Sequence, residues 1–308
     1  MFHLVKAYFR FLLHSTNQHG VHSPFVYGLV TRCFYDRRKY ASYALLKEYR
    51  RSLLKDKRAI KVKDFGAGSK VFTSEVRKLS KMAKTAGISP KRARLLNRLV
   101  RYLEADTAME LGTSLGLGTA AMAAGNKIKV TTIEGCPQTA LIASEKFKEF
   151  RLRNIQLMVG KFQELLVENG KWKEGSGERK EEKNSKFKIP NSNSTKNSQL
   201  TTDNSKPTTD NRQPTTHNSE LRTQNNDLIY VDGNHQKEAT LSYFEKLLPT
   251  VHNDSVMIFD DIHWSKGMEE AWEEIKAHPK VKVSIDTFQW GLVFFRREQE
   301  KEHFVIRV

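Results

Sequence analysis

The sequence predicts an α/β fold: a doubly wound, seven-stranded, mostly parallel sheet with its last strand reversed, preceded by a helical region. Three observations carry this expectation. From residue 107 onward, short apolar runs alternate five times with amphipathic helical stretches. The final two apolar runs, 281–288 and 291–297, are separated by only two residues. A parallel crossover needs a dozen or more, so they must pair antiparallel. Residues before about 106 lack this alternation and follow helical spacing instead.

The elements follow in chain order. In the first helix, Phe2, Val5, Phe9 and Leu12 share one stripe, with Lys6, Arg10 and His14 on another. The apolar stripe is expected to pack on the protein itself rather than on a membrane. His19 and His22 follow in a turn with no acidic neighbour, too sparse a set for a metal. Residues 64–69 read Asp-Phe-Gly-Ala-Gly-Ser, but a basic helical stretch, 74–86, comes next instead of a strand–helix–strand unit. This loop is therefore read as a decoy for cofactor binding. A helix at 89–104 starts with Ser89 as cap and Pro90 in its first turn. Strands are expected at 107–111, 129–133, 155–159, 227–231 and 255–259, each leading into a helix, before the closing hairpin.

One segment stands apart. Of the 43 residues at 184–226, 26 are Asn, Ser, Thr or Gln, and Thr-Thr-Asp-Asn repeats at 201–204 and 208–211. Such a composition cannot bury a core, so a disordered polar insert is expected at about 170–226. The organisation read from the chain is a basic, mainly helical region at 1–105, on the substrate side. A catalytic domain follows at 106–308, interrupted by the insert.

The chemistry gathers at strand ends. The first predicted strand ends in Glu110-Leu-Gly112, and a loop through Thr113 and Ser114 reaches Gly116. Glycines there admit a ligand close to the backbone, and the helix that follows offers free N–H groups. The second strand ends in Glu134, 24 residues after Glu110, where a carboxylate can accept both hydroxyls of a ribose. Loop, acid and five strand–helix units together point to an adenosine-type cofactor. The fourth strand ends in Asp232-Gly-Asn-His235 and the fifth in Asp260-Asp261. Adjacent strand ends open on one crevice. Carboxylates crowded there repel unless they are protonated or bind a hard cation such as Mg²⁺. Without a metal, Asp232 and Asp260 would serve the cofactor and helix starts, and Asp261 a helix cap.

At these positions the chain resembles the class I S-adenosylmethionine-dependent methyltransferases. It is most similar to the catechol-type small-molecule O-methyltransferases and their bacterial relatives. The resemblance covers 106–169 and 227–308 and implies a Rossmann-like methyltransferase fold. It further implies that Glu110, Gly112, Thr113, Ser114 and Gly116 hold the methionine end of S-adenosylmethionine. Glu134 would take its ribose, with Gly160 and Phe162 near adenine. Ser114 stands where the family has glycine. By the same resemblance Asp232, Asp260 and Asp261 match ligands of a divalent cation. His235 stands at the place of the family's lysine base, with Asp232 beside it.

Charge sets the expected partners. Of the net +17, residues 1–105 contribute 24 Lys/Arg against 6 Asp/Glu, whereas 227–308 hold 10 against 15. A small-molecule acceptor is the expectation, with RNA bound by the basic region as the alternative. A third reading is a non-catalytic cofactor-binding protein that acts as an interaction partner. A membrane surface is disfavoured, and an apolar face on the N-terminal helices permits a homodimer. With two cysteines, Cys33 and Cys136, and no long apolar segment, the chain reads as a cytoplasmic enzyme.

Overall fold

The computed structural model describes residues 2–63, 74–85, 87–166 and 225–308. The 64–69 loop and nearly all of the polar insert lie outside these. The N-terminal part forms α1 (Phe2–His14), α2 (Pro24–Leu29) and α3 (Ser42–Lys55). A small antiparallel ribbon of β1 (Ala59–Lys61) and β2 (Val76–Lys78) follows, then α4 (Leu79–Thr85) and α5 (Pro90–Tyr102). Two starts are set by a serine cap and a proline. Ser23 accepts from the Val26 N–H, and Ser89 from the Arg92 N–H. The basic stretch expected as one helix from 74 divides into β2 and α4. The Val76–Lys78 backbone finds a partner strand in β1, which overrides local helical spacing.

From Thr107 the chain alternates β3 (Thr107–Leu111), α6 (Leu117–Ala123), β4 (Lys129–Glu134), α7 (Pro137–Glu149), β5 (Ile155–Val159) and α8 (Phe162–Leu165). It resumes with β6 (Leu228–Val231), α9 (Lys237–Leu247), β7 (Val256–Asp260) and α10 (Lys266–Ala277). Last come β8 (Val283–Asp286), β9 (Trp290–Phe294) and β10 (Glu302–Val305). The strand order is β10-β8-β9-β7-β6-β3-β4-β5. Every pairing is parallel except those of β9, which runs against both β7 and β8. The doubly wound sheet and its reversed strand are thus as expected, and β10 adds an eighth strand at the edge.

Period-two alternation splits the sheet between two cores. Ala108, Leu228 and Tyr230 face one side, where Leu29, Tyr49, Leu53, Leu96 and Leu99 of the N-terminal helices complete the cluster. Met109, Leu111, Ile229 and Val231 face the other, against Tyr243, Phe244 and Leu247 of α9 and Trp272 of α10. The N-terminal helices therefore share a core with the sheet. The chain winds from β3 out to β5, then crosses back to β6 beside β3. That reversal opens a crevice at the C-terminal ends of the strands.

Helix α1 corrects a sequence expectation. It docks through Ala7 and Phe11, while Val5 and Phe9 of the predicted packing stripe are 50% and 62% exposed. The rings of Tyr8 and Phe11 close on Phe288, at 4.8 and 5.5 Å between centroids, and this contact turns the predicted stripe outward. Phe288 in turn stacks on His263, whose two ring nitrogens meet Glu269 at 2.9 Å and Asp286 at 2.8 Å. Among the described residues, no helix is long and apolar enough to cross a membrane.

Candidate active site

The crevice is lined on one side by the turn between β3 and α6. Gly112 has φ +105°, and a Cβ there would overlap the Asp232 carbonyl oxygen, so only glycine lets the β3 and β6 ends approach. The Gly112 and Thr113 N–H groups both donate to the Ile133 carbonyl, at 3.0 and 3.2 Å. Ser114 takes the left-handed conformation, φ +49°, and its N–H donates to Glu134 Oε2 at 2.7 Å. The other Glu134 oxygen accepts from the Cys136 N–H at 2.9 Å. The departure at Ser114 is thus accommodated by the backbone, and Glu134 is held in place by the turn it faces.

Beneath the turn lies Glu110, 1% exposed. It accepts from the Thr119 and Thr132 hydroxyls, and Thr132 also pairs with Thr113 at 2.6 Å. Burial pushes the Glu110 carboxyl up to about 8, against the opposing hydrogen bonds from the two threonines. Gly116, at φ +75°, caps α6 beside Tyr49, whose hydroxyl donates to the Leu115 carbonyl at 3.0 Å.

Of the sequence-predicted cofactor residues, Gly112, Ser114, Glu134 and Phe162 line the cleft together with Asp232. Glu110, Thr113 and Gly116 support the turn from below. Gly160 donates its N–H to the Glu134 carbonyl at 3.0 Å, one residue from the cleft. Lys161, within the 160–162 stretch expected near adenine, also lines it, as do Gln163, Asn234 and Tyr243, which the sequence does not mark. Gln163 and Asn234 both donate to the Tyr243 hydroxyl, at 3.1 and 3.3 Å. Asn234 Oδ1 is buried and has no hydrogen-bond partner among the described residues, an acceptor that a ligand in the cleft can satisfy. This orphaned acceptor, the glycine turn and the anchored Glu134 fit a nucleoside-bearing cofactor.

Three aspartates gather at the ends of β6 and β7, and of these Asp232 lines the cleft. Asp232 follows β6, Asp260 ends β7, and Asp261 continues with φ +54°. Burial raises Asp232 to about 6, with the charge of Asp261 adding to it. Burial and the neighbouring Asp232 raise Asp260 to about 7. Arg92 of α5 opposes both shifts, donating from Nη1 to Asp260 Oδ1 at 2.6 Å. Its guanidinium also lies 5.9 Å from the Trp290 ring centroid. The Tyr230 hydroxyl donates to Asp232 Oδ2 at 3.2 Å, and His235 Nε2 stands 3.9 Å from Asp232 Oδ1.

Asp232, Asp260, Asp261 and His235 are therefore neighbours, as the strand ends imply, and carboxylate oxygens are the ligands that a hard divalent cation takes. Among the described residues, no three His, Cys, Asp or Glu side chains are arranged to hold one. The positive charge beside Asp260 is the Arg92 guanidinium. No sequence signal distinguished that arginine from Arg94, Arg98 and Arg101 of the same helix.

A family described as methyltransferase domain matches residues 109–262. No protein of curated function matches the chain. Among solved structures, the SAH-bound methyltransferase PaMTH1 of Podospora anserina is similar at 10% identity and a TM-score of 0.50, over 90% of this chain and 97% of that one. An O-methyltransferase of Bacillus cereus in complex with SAH is 16% identical, with a TM-score of 0.46 over 83% and 91% of the two chains. The O-methyltransferase TomG of Streptomyces achromogenes, in complex with SAM, is 13% identical, with a TM-score of 0.47 over 84% and 91%. At these identities the likeness concerns the fold alone.

Proposed function

The chain belongs to the methyltransferase-domain family, and from that premise we propose that it moves the methyl group of S-adenosylmethionine to a hydroxyl oxygen of a small molecule. One observation supports this reading most. A single cleft has the glycine turn and Glu134 on one wall and Asp232 on the other. When bound, S-adenosylmethionine supplies an electrophilic methyl on its sulfonium.

The protein's part is to hold two reactants in line and to manage one proton. Glu134, fixed by the Ser114 and Cys136 amides, accepts the ribose hydroxyls. The acceptor hydroxyl lies toward Asp232, and the imidazole of His235 takes its proton. Asp232, 3.9 Å away, steadies the charge that the imidazole gains. Arg92 keeps the Asp260 carboxylate compensated, so the site does not accumulate negative charge as the acceptor oxygen is deprotonated. No step is assigned to a divalent cation. Much of the rate comes from holding oxygen and methyl together.

Calorimetric titration with S-adenosylhomocysteine, in Mg²⁺ and again in EDTA, tests the reading, with Glu134→Ala as control. The expected result is micromolar binding that is indifferent to EDTA and lost in the control. Folded wild-type protein that binds nothing in either buffer would overturn the methyltransferase mechanism.

A further inference from the structure

Helix α1 divides its surface three ways. Ala7 and Phe11 sit one turn apart and face the protein, 4% and 7% exposed. Val5, Phe9 and Leu13 point away from it, exposed at 50%, 62% and 84%, with Leu12 and Tyr8 beside them at 36% and 46%. Lys6 and Arg10 run along the flank between these two faces, and the helix contains no Asp or Glu. An isolated exposed leucine needs no explanation, but a contiguous apolar stripe on one helix marks a contact surface.

We propose that α1 rests on an anionic lipid bilayer, its outward apolar stripe sunk into the headgroup boundary and its cations against the lipid phosphates. Charge selects this occupant. The stripe belongs to a region, residues 1–105, with 24 Lys/Arg and 6 Asp/Glu. A second copy meeting α1 face to face would bring Lys6 and Arg10 of both chains together, and the two basic regions repel. A surface of opposite charge is attracted by the same field. Length agrees as well: the 13 residues of α1 span about 20 Å, too short to cross a bilayer core of about 30 Å but suited to lying in its plane. Binding in this geometry leaves the Phe11–Phe288 contact in place, because Phe11 lies on the opposite side of the helix, and Tyr8, at the boundary between the two faces, keeps its edge contact with Phe288. The inference does not depend on methyl transfer.

The test is flotation of the full chain with phosphatidylcholine vesicles, with and without phosphatidylglycerol. The protein is expected to float only with the anionic vesicles, and less at high salt. Lys6→Gln and Arg10→Gln should each weaken binding about fivefold, and Phe9→Glu with Leu13→Glu should abolish it. Both residues of that pair are exposed, so thermal melts of the double variant should match wild type. Absence of flotation by folded wild-type protein would overturn the proposal. So would a dimer that the same double substitution dissociates, since it would assign the stripe to a second copy.

Discussion

The glycine-turn wall of the cleft and the carboxylate wall that extends beyond Asp232 are assembled from different distances along the chain. The glycine-turn wall closes over short loops: the amides of Ser114 and Cys136 hold Glu134 from 20 and 2 residues away. The carboxylate wall joins Arg92 to Asp260 across 168 residues. The difference teaches where each wall is vulnerable. The first is a property of one strand–turn–helix–strand unit, stable wherever that unit folds. The second exists only when α5 has docked on the ends of β6 and β7, and it buries charges that depend on one another.

The largest expected effect lies under the glycine wall and tests how far burial controls it. Burial pushes the Glu110 carboxyl up to about 8 in the fold, from the ordinary glutamate value of about 4.5 in the unfolded chain. Its favourable contribution is full below pH 4.5 and is lost as pH rises from there through 8, because over that range the unfolded chain ionises while the fold holds the buried carboxyl protonated. Glu110→Gln removes that dependence. The stability advantage of the variant should grow from nothing near pH 4.5 to at most about 5 kcal/mol above pH 8. Urea midpoints of both proteins at acid and alkaline pH measure it, and a pH-independent difference would contradict the assignment.

Arg92→Ala attacks the other wall. Above neutral pH it leaves Asp260 charged, buried and unpaired, at an expected cost of about 3 kcal/mol. In mild acid, where Asp260 holds its own proton, the loss should be much smaller. Affinity for S-adenosylhomocysteine should stay within about twofold, since the glycine wall is untouched. An affinity loss as large as that of Glu134→Ala would erase the distinction between the walls.

The smallest effect sharpens the comparison from the N-terminal side. Tyr49→Phe removes the hydroxyl that holds the Leu115 carbonyl. It should lower stability by about 1 kcal/mol and weaken S-adenosylhomocysteine binding severalfold, while leaving the response to Arg92→Ala unchanged in a double-mutant cycle.

Legibility in the sequence follows the same division. The strands at 107–111 and 129–133 were readable because alternation, glycine spacing and a terminal acid all fall within about 30 residues. The Glu134 position came with them. Asp232 and Asp260 were readable as strand ends, but their counter-charge was not, because Arg92 is one of several arginines on α5. The β10 strand has no legible pattern: of its four residues, Glu302–Val305, only Phe304 is buried. It is defined by pairing with β8 rather than by its own pattern. Ribbon strand β2 was hidden within a basic, helix-like run for the same reason.

The sequence by itself determined the alternation of strands and helices, the reversed hairpin strand, the glycine turn and the acids that end the central strands. Each depends on periodicity or on conformations that few residues adopt, and both are local properties. Only the tertiary structure decided that a guanidinium from a distant helix neutralises the carboxylate wall and that Glu110 sits beneath the cleft as a buried, proton-holding group. It also decided that α1 turns its most apolar stripe away from the core. These outcomes depend on which surfaces meet when the chain closes, and burial and charge compensation take their values only at those meetings.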